Sequence, residues 1–73
     1  MTNVEKATGT RDPHYALVSV LYHALQAGET TTQYIRDAEQ AGDQELVGFF
    51  RQVLESDHAR AEQAKRLLQG RLA

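Results

Sequence analysis

Gln40-Ala41-Gly42-Asp43-Gln44, residues 40–44, is the one convincing interruption in a chain that otherwise reads as helix from Pro13 onward. Gly42 can take the left-handed conformation that ends a helix, and Asp43 can cap the free N–H groups that begin the next. Upstream, Asp12-Pro13 is a start signal: the aspartate caps, and the proline has the fixed φ and missing donor suited to a first helical position. These signals predict helix 1 over about 13–40 and helix 2 over about 44–70. Asp43 and Glu45 open the second helix, and Lys65, Arg66 and Arg71 lie toward its end, as the helix dipole favours. So short a connection makes the helices antiparallel neighbours. The expected fold is therefore all-α, a helical hairpin over 13–73. Residues 1–12 carry little apolar content and read as a flexible N-terminal tail.

The hairpin must bury a stripe on each helix. On helix 2 the spacing selects Leu46, Phe50, Val53, Asp57, Ala61, Ala64 and Leu68; on helix 1 it selects Leu17 or Val18, Leu21, Leu25, Gly28, Thr32 and Ile35. The segment Gly28-Glu29-Thr30-Thr31-Thr32 replaces large apolar residues midway along helix 1. It reads either as a close helix approach with threonines bonding back to the backbone, or as an irregular turn beside a functional site. Tyr15, Tyr22, Val47, Phe49, Leu54 and Leu67 widen the apolar faces beyond a two-helix seam. A chain of 73 residues rarely buries a sufficient core alone, so assembly as a homodimeric four-helix bundle, or a higher homo-oligomer, is expected.

Composition excludes several classes. The net charge is −2 with acidic and basic residues interleaved, which leaves neither a nucleic-acid footprint nor a basic membrane face. No cysteine is present to form a disulfide or a thiolate metal site, a composition that suits the cytoplasm. No apolar run approaches the ~18 residues of a membrane span, and the first residues lack the layout of a secretory signal. A Gly-rich phosphate loop and a nucleophile–base set are likewise missing.

Asp57 is the residue with chemistry in it, because a carboxylate in the middle of a packing stripe needs a partner. Arg60 is one turn on, with the same facing. Glu29 lies 13 residues before Gly42 and Asp57 lies 15 after it, so the two stand at nearly one level of the hairpin. Glu29, Asp57 and Arg60 can thus form a buried polar network, or Asp57 and Arg60 can be an ordinary exposed ion pair. Glu55-Ser56-Asp57-His58 is also a literal Glu-x-x-His, the spacing of a di-iron ligand pair. Rotation sets Glu55 and His58 on the solvated side of helix 2, which argues against Glu29, Glu55 and His58 as metal ligands while leaving that set as the alternative.

The segments Glu29-xxxx-Tyr34, Gly42-Asp43, Leu46-xx-Phe49-Phe50 and the carboxylate at Asp57 resemble the ferritin-like superfamily, most closely its two-helix members of the encapsulated-ferritin and rubrerythrin kind. The resemblance covers about residues 16–70. It implies a ferritin-like four-helix bundle in which Glu29 falls on a first-helix glutamate ligand, Asp57 on the glutamate of the family's Glu-x-x-His, and Arg60 on its histidine. Arginine keeps its proton and cannot coordinate a metal. The resemblance therefore implies a degenerate site, with no cofactor and an arginine standing where a cation would sit. The expected role is non-catalytic, structural or in protein interaction. The alternative is an oligomeric carboxylate protein binding iron or another divalent metal.

Overall fold

A computed structural model describes residues 12–72 of the chain. Two helices make up the described fold: α1 over Pro13–Gln40 and α2 over Gln44–Leu72. The expected bounds were 13–40 and 44–70, so α2 continues past Gly70. Of the expected tail, all but Asp12 lies outside the described residues.

Each boundary has a local cause. The Asp12 carboxylate accepts from the backbone N–H groups of His14 at 2.9 Å and Tyr15 at 3.3 Å, two donors that the first helical turn leaves without intrahelical acceptors. At the other end of α1, Gly42 has φ 72, a conformation that costs an L side chain ~1–2 kcal/mol. With that one left-handed residue, the Gly42 N–H donates to Glu39 O and the Asp43 N–H to Ala38 O, both at 3.0 Å, completing a Schellman turn. Asp43 then starts α2 without a spacer, its carboxylate accepting from Leu46 N–H at 3.2 Å. One residue thus closes the first helix and caps the second, which is why the connection is so short.

The seam follows the expected stripes over most of their length and departs from them at Leu25, Thr32 and Leu46. The fully buried residues are Ala24, Gly28, Thr31 and Ala38 on α1 and Val47, Asp57, Ala61 and Ala64 on α2. Half-buried Leu17, Leu21 and Ile35 complete the first row, and Phe50, Leu54 and Leu68 the second. Both rows step alternately by three and four residues, the heptad spacing with which antiparallel helices interlock. Leu25 at 47% and Leu46 at 43% exposure were expected in the seam and stand outside it. Thr32 flanks the seam, and its neighbour Thr31 is buried instead. The cause is a small rotation of each helix, roughly a third of the ~100° between neighbouring residues: large side chains drew the expected stripe toward Leu25 and Leu46, while the helices meet along Ala24 and Val47.

Helix α1 is uninterrupted through Gly28–Thr32, without an irregular turn. Thr32 Oγ1 donates back to Gly28 O at 2.9 Å, the local bond threonine makes inside a helix. A methyl placed on Gly28 would meet Leu54 Cδ1 at 3.6 Å and His58 Nε2 at 3.8 Å, ordinary van der Waals contact. These distances put Gly28 level with Leu54–His58, and thus with Asp57. Near the turn the helices are tied by Arg51 Nη2 donating to Glu39 Oε2 at 3.1 Å, and by Tyr34 against Phe50 with ring centroids 5.6 Å apart. No helix among the described residues is long and apolar enough to cross a membrane.

Candidate functional site

Asp57 reaches the seam because the heptad step that buries Leu54 and Ala61 passes through it. Its side chain is only 7% exposed. Arg60, three residues on, is 49% exposed and bends back so that Nη1 donates to Asp57 Oδ1 at 3.0 Å. Nη2 donates to Ser56 Oγ at 3.4 Å, which steadies the guanidinium from the same helix. The pair is asymmetric: a buried carboxylate is held by a half-exposed arginine. Asp57 Oδ2 is buried and makes no hydrogen bond. A buried acceptor left in this way costs ~1–3 kcal/mol, so Asp57 is retained against a local penalty.

Glu29 stands apart from this pair. It is exposed, and it lines an open groove with Leu25, Gly28, Thr32 and His58. Arg60 lines a different groove, with Leu17, Val20, Gln63, Ala64 and Leu67. The expected level of Glu29 is right, because it neighbours Gly28; its direction is what differs. One residue past the seam position at Gly28, it turns to one flank, whereas Arg60 turns to the other. The expected three-residue network is thus an Asp57–Arg60 pair with Ser56 as its third member.

The literal Glu55-x-x-His58 motif divides as well. His58 is exposed, yet its ring lies at the seam's edge, with Nε2 3.8 Å from where a Gly28 methyl would sit, closer in than the solvated side on which rotation set it. Glu55 is exposed and does not line the groove that Glu29 and His58 share. Among the described residues, no group of three or more His, Asp or Glu side chains is gathered to hold a metal ion. The carboxylate that takes the ligand position of the resemblance already faces a permanent cation, and a second positive charge there would be repelled.

Ser56 and the buried Ala24, Thr31 and Ala38 were not placed on the expected stripes. Their signal was present: counted from Leu17 by alternating four and three, the series 21, 24, 28, 31, 35 and 38 meets no charged residue. Compared with family models, curated proteins and solved structures, the chain matches none. A two-helix hairpin is an architecture that many unrelated chains share, so the fold alone identifies no superfamily.

Proposed function

We propose that this chain is a non-catalytic helical interaction module whose working form is a homo-oligomer, a dimer in the first instance, built as a four-helix bundle. One observation carries the reading. The buried apolar core of the described hairpin consists of Ala24, Ala38, Val47, Ala61 and Ala64, while ten larger apolar residues, among them Tyr22 at 59% and Phe49 at 56%, stand exposed. No large side chain is fully buried. At ~25 cal/mol per Å², alanine-lined burial contributes little against the entropy of ordering two long helices. The surplus of exposed aromatic and aliphatic side chains is the surface that could make up the difference.

The resemblance to ferritin-like hairpins is part of this reading, with Asp57–Arg60 standing where the family holds metal. So is a cytoplasmic location, which the cysteine-free composition supports. Sedimentation velocity across the micromolar range tests the assembly, with a mass of twice 8.2 kDa or more expected. A compact, stable monomer at several hundred micromolar overturns it. A second reading, a divalent-metal protein, draws on Glu29 and His58 sharing one groove. It needs further ligands from another copy. Metal analysis of protein purified without a polyhistidine tag separates the two, because stoichiometric iron or zinc would favour the second.

A further inference from the structure

The hairpin has two flanks, one on either side of the seam, and they differ in kind. The first carries Glu29, His58 and the Glu39–Arg51 ion pair, so covering it would strip water from charged and titratable groups. The second is the more apolar: Val20 and Tyr34 on α1, and Leu46, Phe49 and Leu67 on α2, are all at least 40% exposed, with Arg60, Gln63 and Arg71 the polar members of its grooves, whereas Leu25 is the large apolar side chain lining the groove of the first. Its central charge, Arg60, is already neutralised by Asp57 at 3.0 Å. Tyrosine, phenylalanine and arginine are the side chains that interface cores favour.

The second flank also has a knob at one end and a hole at the other. Phe49 projects near the turn, 56% exposed. At the open end lies a groove of about 290 Å³ with walls that include Leu17, Val20 and Leu67. Phe49 and Leu67 are eighteen residues apart, which is five full helical turns, so they lie on one line along α2 about 27 Å apart. Ser56 and Arg60 fall on that line near its midpoint. A two-fold axis through the midpoint, perpendicular to α2, sets each Phe49 against the other copy's groove. It brings the two Asp57–Arg60 pairs together as a cluster with no net charge.

We propose that a second copy of this chain docks on the flank of Phe49, Arg60 and Leu67, in an isologous dimer in which Phe49 of each copy fills the apolar groove between Leu17, Val20 and Leu67 of the other. The inference rests on the homo-oligomeric reading above and names its face. Self-complementarity is what selects a second copy as occupant: knob and hole share one flank, and a two-fold axis satisfies both at once. The five exposed apolar side chains offer roughly 400 Å² per copy, about half of what each partner in a standard interface buries. The groove walls and Arg60 supply much of the remainder. An interface of this size fits micromolar dissociation.

Sedimentation equilibrium of the full chain beside two single variants tests the face. Phe49→Asp should raise the dissociation constant about 30-fold or more. Tyr22→Asp, at an equally exposed position off this line, should leave it within about 3-fold. Circular dichroism of both variants at high concentration monitors the helix. Ser56→Cys, in a chain that has no cysteine of its own, should cross-link to its copy through a short bismaleimide, and Glu62→Cys should not. A dimer that survives Phe49→Asp, or that cross-links through Glu62→Cys in preference to Ser56→Cys, overturns the proposed face while leaving the homo-oligomer standing. A monomeric parent chain overturns both.

Discussion

Asp57 illustrates how one residue can be legible in position and illegible in partnership. Its burial followed from spacing alone, because a stripe that runs through Phe50, Ala61 and Ala64 carries position 57 with it. Its pairing with Arg60 followed from the three-residue step. Glu29 did not follow, since level along a hairpin and direction around a helix are separate coordinates, and only the first can be counted from a turn. The Asp57–Arg60 geometry leads to a double-mutant test. Arg60→Ala should destabilise the fold by about 1–3 kcal/mol in urea, by stranding a buried acceptor. Arg60 is half exposed, which keeps the loss below that of a fully buried ion pair. Asp57→Leu should be neutral or stabilising, and combined with Arg60→Ala it should recover most of the loss. If the effects of the two single substitutions simply add in the double variant, Asp57 and Arg60 are not energetically coupled.

At the scale of the elements, both helices and their antiparallel arrangement were legible because their boundaries rest on strong local signals: Asp12-Pro13, Gly42 and Asp43. The seam was legible only to within a small rotation of each helix. Hydrophobicity ranks Leu25 above Ala24, yet Ala24 is 3% exposed and Leu25 47%. Close packing of two helices reverses that order, because small side chains bring the axes together and the large ones are left to flank them. Gly28 and Gly42 separate the two roles a glycine can have here. Gly28→Ala should raise stability by up to about 1 kcal/mol, because a helix interior favours alanine and the new methyl finds ordinary contact with Leu54. Gly42→Ala should lower it by about 1–2 kcal/mol, because φ 72 disfavours a side chain even in open space. Thermal midpoints of the two variants, read at one protein concentration, should move in opposite directions; a lower midpoint for Gly28→Ala would mean that the helices meet more tightly than these contacts indicate.

At the scale of the molecule, the proposed dimer would make stability and association one quantity, since the hairpin's buried core is mostly alanine and ten larger apolar residues stand exposed. The unfolding midpoint should therefore rise with protein concentration, and a midpoint independent of concentration would separate the two. The turn at Gly42 adds a consequence in time. Covalent linkage is confined to one end of the seam, so bringing Ala38 to Val47 closes a short loop, whereas bringing Leu17 to Leu68 closes a far longer one. The entropic difference amounts to roughly 1.5 kcal/mol. The hairpin should then open and close like a zipper fastened at Gly42. Backbone amides around Ala38 and Val47 should exchange with deuterium most slowly, and those around Leu17 and Leu68 most rapidly. In the Phe49→Asp variant this gradient should run unbroken from the turn to the free ends. In the parent chain the proposed dimer predicts that the gradient flattens, because Phe49 of each copy would clamp the other's loose end and the slowest-breathing part of one hairpin would hold shut the fastest-breathing part of the other.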